Sequence, residues 1–571
     1  MFRSGRGPPA RRTLRQAEKQ QKMQLTISCQ FSKLSEAQRG GMFHFTSTVS
    51  PPPHTQFCES FDKNATKAAN MNDVTPAGYA YLISRYSLDV CELFSRSYMT
   101  TRTIKKTVQR EAYQETYFPL QRYAFDDSWQ GQITFALKYE GVNVEVLRAF
   151  FAKVDAAEVS AFVQEHLLGG AQKRVWFLYE YLTGKKLDIP DGEGGSYLPL
   201  VDDELQFALP AESSIRNRRC HILNNLIGNS QFSPYIRKTA ALRGDRTLRL
   251  KDESDRLLQN YSPELLYRAV QYLYVKETKS SFAIERETPD QKRMESFVGL
   301  LKGLGHTPLT KDSLVTAQNS VVDERYRQQT WRTDQVYVGE TITPGYEKVH
   351  FIAPRPDAIG ELMEGFLSCL KTWMAAKDAD PIVVAAVMGF AFVFLHPFDD
   401  GNGRVHRYVL HAILAQLGFV PQGLIFPVSA VMLKMPRAYD EALESFSRRV
   451  MPRLAYEIDV DGEVKVSNDS RDFYRAVDYT PIVEYFQEVV ATTIRTEWKA
   501  ELDYLKQYDR MREAMRRIVD LPEKKANQFI KFVQQNGGEL AQRKREFFAE
   551  LTDDEIAQLE RVINGAEEPV A

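Results

Sequence analysis

Two apolar stretches separated by a short polar run dominate the hydropathy pattern of this chain. The first, Pro381–Leu395, is apolar on every side, and the second covers residues 408–417. A segment apolar all round reads as a buried helix, so the pattern predicts two buried helices joined by a polar loop. Upstream, Val144, Leu147, Phe150 and Phe151, then Val159, Phe162, Val163, Leu167 and Leu168, recur at spacings of three and four. This predicts amphipathic helices from about residue 75 to 186. The aromatic-dense segment 175–182 reads as part of their core. At 335–339 and 348–354 the period changes to two on either side of Thr343, Pro344 and Gly345, which is a hairpin signal. A second hairpin is expected at 458–466, turning through Asp461 and Gly462. Helices are then expected over 480–519, from Pro522 to a stop at Asn536, Gly537 and Gly538, and after a capping box of Thr552 and Glu555.

A chain of 571 residues exceeds one typical domain. The patterning suggests a mainly α fold: a helical N-terminal domain (71–200), a connector (201–264), a central domain (265–455) and a helical C-terminal domain (456–571). Residues 1–70 are basic at the start and rich in Pro, Ser, Thr and Gln. They are expected to be a disordered extension; the start also resembles a transit peptide, and translation from Met71 is an alternative. A net charge of −1 gives no overall electrostatic case for nucleic acid or a membrane surface. The basic residues between Arg216 and Arg249 read as a solvated face. Within 75–110, Arg102, Lys105 and Lys106 leave a DNA-binding helix-turn-helix to be sought. No run reaches the roughly 20 apolar residues of a membrane span. Five scattered cysteines without a CxxC pair suggest neither a disulfide framework nor a zinc site, and a cytoplasmic protein is expected.

The polar loop, His396 to Arg407, concentrates the candidate chemistry. Gly401 and Gly403 fall where the second helix would begin. Unpaired N–H groups there carry about half a positive charge, and glycines let a phosphate approach the backbone. Arg404 and Arg407, three apart, are expected on one helix face, able to fork onto phosphate oxygens. Asp400 is a hard oxygen ligand suited to Mg²⁺ when the substrate supplies the remaining ligands. His396 can take a proton from a hydroxyl near neutral pH.

These residues match HxFx(D/E)GNGRxxR at every specified position, and the chain thereby resembles the Fic family, helical enzymes most of which move AMP from ATP to a Ser, Thr or Tyr hydroxyl of a target protein. The resemblance implies a Fic-type helical core with a β-hairpin flap. His396 would be the general base, Asp400 the Mg²⁺ ligand, Asn402 a phosphate contact, Gly401 and Gly403 the anion nest, and Phe398 a buried anchor. Arg404 and Arg407 would hold the β and γ phosphates. A kinase-like branch has lysine at the second glycine, so Gly403 favours nucleotidyl transfer. Ser281 and Glu285 resemble the family's inhibitory (S/T)xxxE(G/N) helix, here expected at 278–287, with Arg286 departing from the usual Gly or Asn. The resemblance further implies a flap at 335–354 that docks the target as an added strand near Val336, Tyr337 and Val338, and places Tyr439 near the adenine. ATP and Mg²⁺ are the expected substrate and cofactor. The target protein is open, and a homodimer is an expectation the family suggests. Other nucleotidyl or phosphocholine transfer, AMP removal, and nucleotide sensing with an N-terminal binding module are the alternatives.

Overall fold

The computed structural model describes residues 74–111, 113–123, 125–192, 196–343, 346–459 and 462–565. The expected disorder and start site at 1–70 lie outside them.

The N-terminal part, expected to be mostly helical, also holds a sheet. Strands β1 (Val74–Ala77), β2 (Ser95–Thr100), β3 (Lys106–Gln109) and β4 (Gln114–Pro119) form a sheet in the order β1-β2-β4-β3. The pair β2 and β4 is parallel, and the other pairs are antiparallel. Residues 75–110 therefore hold one short helix, Tyr79–Tyr86, followed by strands, and no helix-turn-helix. Strands of Ser, Thr and Tyr with few aliphatic residues give little periodic signal, although Thr, Tyr and Phe fit a half-buried pleated surface.

The expected helices follow at Trp129–Tyr139, Val144–Phe151, Ala156–Glu165 and Gly170–Thr183. Asn143 and Asp155 cap two of them by accepting from Val146 N–H and Ala157 N–H. Phe150, Val159 and Val163 are fully buried, and Trp176 and Leu178 lie in the same core, as the spacing implied. Leu167 and Leu168 do not join it. The helix ends at Glu165, and these two side chains are exposed.

The central helix of the main core is α1 of the site, Pro381–Leu395. Every side chain from Ile382 to Phe392 is buried, and each large one contributes about 1.5–3 kcal/mol of transfer free energy. Asp380 caps it by accepting from Ile382 N–H and Val383 N–H. The helices Pro356–Met374, α2 (Asn402–Gln416) and Thr480–Thr492 pack around it. This burial makes α1 a rigid post whose last turn delivers His396.

The hairpin β5 (Tyr337–Thr343) and β6 (Tyr346–Ile352) is antiparallel, with register shifts at Val338/Gly339 and Thr341/Thr343. A second hairpin pairs Tyr456–Ile458 with Val464–Val466, although Asp461 of its turn lies outside the described residues. The expected helix after it runs from Thr480 to Ile518, with a wider π turn at Thr493–Trp498. Glu523–Gln535 follows Pro522 and ends at Asn536, and Asp553–Ile563 starts on the Thr552/Glu555 capping box. Met515, Phe529, Phe548 and Leu559 make a small separate core there. Cys91, Cys220 and Cys369 are buried free thiols. Among the described residues no helix is long and apolar enough to cross a membrane.

Candidate active site

The loop between α1 and α2 is shaped by residues that do no chemistry. Phe398 is fully buried, against Trp331 and Phe392. Asn402 accepts from Phe398 N–H at 3.0 Å and donates to Phe398 O at 2.7 Å. Both ends of its amide are thus engaged by one residue's backbone. The side chain of Asn402 ties the loop. Gly401 sits at φ 90°, and a Cβ there would lie 2.8 Å from Val322 Cγ1. Glycine is required on both counts.

His396 caps α1 in the left-handed region, φ 49° and ψ 57°, a conformation that costs a non-glycine residue about 1–2 kcal/mol. The surroundings hold it there. Arg332, buried, donates Nε to His396 O at 2.8 Å, and its other guanidinium nitrogens donate to Asp334 O and Pro354 O. Its backbone N–H donates to Pro397 O. The imidazole Nδ1 lies 3.0 Å from Val393 O, so the proton is assigned to Nδ1 and Nε2 keeps the lone pair. Burial, reinforced by the Arg332 guanidinium against the opposing Val393 bond and Asp400, brings the pKa of His396 down to about 4. A neutral base at physiological pH results.

The two arginines, expected to act together, go to different partners. Arg407 is fully buried and donates Nε to Ser281 Oγ (2.7 Å) and Nη2 to Ser281 O (2.8 Å) and Glu285 Oε1 (2.8 Å). Arg404 donates to Val321 O (2.7 Å), Glu287 Oε2 (3.1 Å) and Asp400 Oδ1 (2.9 Å), and lies over the Phe282 ring. A spacing of three puts both on one side of the helix, but one turn further along, Arg407 meets Ser281 of the helix Pro263–Ile284 while Arg404 meets Glu287, in the chain after that helix. That helix is called the clamp helix.

The clamp helix ends at Ile284, three residues short of its expected 287. Arg286 N–H bonds Ala283 O and Glu287 N–H bonds Phe282 O, both at 3.0 Å, the two bonds of a Schellman turn. Arg286 occupies the left-handed position at φ 54°. That explains why Gly or Asn is usual there in the motif, and this chain places arginine in the same turn. The turn aims Glu285 and Glu287 at Arg407 and Arg404. A Cβ on Gly403 would lie 2.1 Å from Glu285 Oε1, so the glutamate carboxylate sits against the N-terminus of α2, where an anion is best stabilised.

Asp400 Oδ1 accepts from Gly401 N–H (2.7 Å) and Arg404 Nη2, while Oδ2 carries no hydrogen bond among the described residues. Among the described residues no cluster of three metal-binding side chains exists. The donor set therefore fits a Mg²⁺ ion only if substrate oxygens and water complete it.

A cavity opens beside His396 and Gly403, lined by Ile284, Glu285, Val338, His350, Phe351, Val393, Phe394, Tyr439, Asp440, Leu443, Glu444 and Ser447. Tyr439 is thus brought to the site as expected, its hydroxyl pushed up to about 12 by burial. Of the flap residues, Val338 faces the cavity, whereas Val336 and Tyr337 are buried and Tyr337 packs into the main core. Sequence reasoning missed Arg332, Glu287, Asp440 and Gln318, which donates to Asp400 O at 3.2 Å. Only Glu287 carried a signal, two residues beyond Glu285.

Residues 308–414, which carry this loop, match the model of the Fic/DOC family. Among individual proteins, the protein adenylyltransferase Fic of Nematostella vectensis is 29% identical over 118 residues, 20% of this chain and 24% of that protein. The protein adenylyltransferase fic-1 of Caenorhabditis elegans is 35% identical over 97 residues, 17% of this chain and 16% of that one. The chain thus spans no more than 24% of the length of these curated relatives. A Fic domain containing signaling protein from Bacteroides thetaiotaomicron shares 18% identity over 46% of this chain and 97% of its own, with a TM-score of 0.33.

Proposed function

We propose that the chain is a Fic-type protein adenylyltransferase that transfers AMP from ATP to a hydroxyl of a target protein, and that Glu285 holds it inactive. The observation that carries this reading is the Glu285 carboxylate at Gly403, bonded to Arg407, in the anion site beside a neutral His396. With Glu285 withdrawn, the N-terminus of α2 and Arg407 are open to phosphate oxygens. The target hydroxyl then attacks the α-phosphorus in line. Its proton passes to Nε2 of His396 as the new P–O bond forms, and the bond from the α-phosphorus to the bridging oxygen breaks with release of pyrophosphate. Positioning and preorganised charge supply most of the rate. Asp400, oriented by Arg404, is the residue that would hold Mg²⁺, which when bound supplies charge neutralisation on the phosphates.

Val338 and the free edge of the flap hairpin receive the target segment on this reading, and the parts at 71–200 and 456–571 serve target capture or assembly. The test is intact-mass measurement of wild type, Glu285→Gly and Glu285→Gly/His396→Ala after incubation with each nucleoside triphosphate and Mg²⁺. One AMP mass should appear most in the single variant and be absent from the double. Addition that is equal in wild type and Glu285→Gly removes the inhibitory role. Another added mass, or none with any target fraction, removes the transfer of AMP.

A further inference from the structure

The cavity beside His396 contains an acid that the proposed transfer does not use. Asp440 lies on α3 of the site, Pro436–Val450, next to Tyr439. It is only 8% exposed, yet it lines the cavity, and its Oδ1 has no hydrogen-bond partner. Burying a polar oxygen without a partner is costly, and native proteins rarely leave one so. The cost is recovered when a ligand in the cavity supplies the missing partner. Tyr439 and Phe351 give the same cavity aromatic walls suited to a flat ring.

We propose that Asp440 reads the nucleobase: in its acid form the carboxyl accepts from the exocyclic amino group of adenine and donates its O–H to the adjacent ring nitrogen. The inference rests on the transfer reading above, and names the residue that selects the nucleotide there. The match follows from hydrogen-bond inventory. Adenine presents an amino donor beside a ring-nitrogen acceptor, and a carboxylic acid is the mirror of that pair, having one acceptor and one donor. A carboxylate has two acceptors and matches guanine, which presents two donors side by side. Protonation of one residue thus decides which purine fits.

The surroundings keep the acid form. Burial, then the neighbouring charges of Glu444 and Glu441, raise the pKa of Asp440 to about 7. Tyr439 and Tyr485 lie beside it, and both phenols are raised by burial. Across the cavity stand His350 of the flap, His396, and the Glu285–Arg407 pair. His350 is held below the ordinary histidine value, chiefly by burial. Glu444 is paired with Arg448 on the same helix. No cation is paired with Asp440 among the described residues.

The test uses the full chain carrying Glu285→Gly, with ADP and GDP as probes and dissociation constants measured at about pH 6 and about pH 8.5, on either side of the Asp440 titration. Phosphate protonation is common to both nucleotides and cancels in their affinity ratio. The ADP preference should fall about tenfold or more over this range with Asp440 present. Asp440→Asn, whose amide also offers one donor and one acceptor, should keep the ADP preference at both pH values. Asp440→Ala should weaken ADP about tenfold at the lower pH. A ratio that does not move with pH, or that moves equally in Asp440→Asn, overturns the proposal. An Asp440-dependent ratio in a protein that transfers no AMP would support it while rejecting the transfer reading. Failure of the folded protein to bind either nucleotide would reject both.

Discussion

Replacing Arg286 by glycine should strengthen inhibition, although it touches neither nucleotide nor base. Arg286 occupies the left-handed position of the Schellman turn that ends the clamp helix, at φ 54°. A side chain there costs about 1–2 kcal/mol. Glycine removes that strain but enters folding with more backbone entropy to lose, about 0.5–1 kcal/mol. The Coulombic attraction between Arg286 and Glu340 of the flap is also lost, but Arg286 is exposed and such a surface pair contributes little. The net gain for the turn is about 0.5–1 kcal/mol, or roughly two- to fivefold in an equilibrium.

This gain acts on the docked state alone. The turn aims Glu285 at Arg407 and Glu287 at Arg404, and a withdrawn clamp has no need of that geometry. Automodification of Arg286→Gly, followed by intact mass with ATP and Mg²⁺, should therefore run about two- to fivefold slower than wild type, with a slightly raised melting temperature. Glu285→Gly serves as the uninhibited reference. A glycine variant that labels as fast as wild type or faster, while melting normally, would show that the turn does not hold the inhibited state.

Three further outcomes follow from the geometry. Asn402→Ala strips the partners from Phe398 N–H and O, both buried, and should cost about 2–4 kcal/mol; measured in the Glu285→Gly background, kcat should fall while KM for ATP moves little if the loop tie is its main role, and a rise in KM with kcat intact would point to phosphate contact instead. Two histidines, His396 and His406, set opposite-looking pH behaviour from one cause. His396, brought to about 4, stays a free base as the pH falls from 8 to about 5.5, so kcat should not drop there with an ordinary histidine profile. His406 is fully buried with Nδ1 2.7 Å from Gly389 O, and burial and Arg407 bring it to about 3. Its folded pKa lies below its unfolded value, so its stabilising effect is complete above about pH 6.5 and is lost as the pH falls. The loss by about pH 4.5 is roughly 2–3 kcal/mol. Melting curves of wild type and His406→Gln across that range should diverge in slope, and equal slopes would dismiss the assignment.

What the sequence made legible is what lies close together along it. The loop from His396 to Arg407 is local: its histidine, its glycines and its buried Phe398 could be placed because each depends on neighbours a few residues away. The aliphatic run before it needed only its own hydropathy. The N-terminal sheet failed for the converse reason. Strand β2 pairs with β4 in parallel, across an intervening segment that includes β3, and such pairing leaves no mark within either strand. Residue type also could not say which way a polar side chain would turn. Asn402 and Arg404 have the chemistry of phosphate ligands, yet one closes on Phe398 and the other on Glu287, Asp400 and Val321.

Along the sequence Arg286 reads only as a departure from the usual Gly or Asn. Read along the chain, arginine breaks the expected helix-ending pattern; in the fold it sits in the turn that pattern encodes, at an energetic cost. A residue that weakens a clamp without removing its acid sets how readily the clamp opens. On the proposed inhibition, the strained Arg286 and the Glu285–Arg407 bond act in opposite directions on one equilibrium, and the glycine substitution is expected to shift their balance.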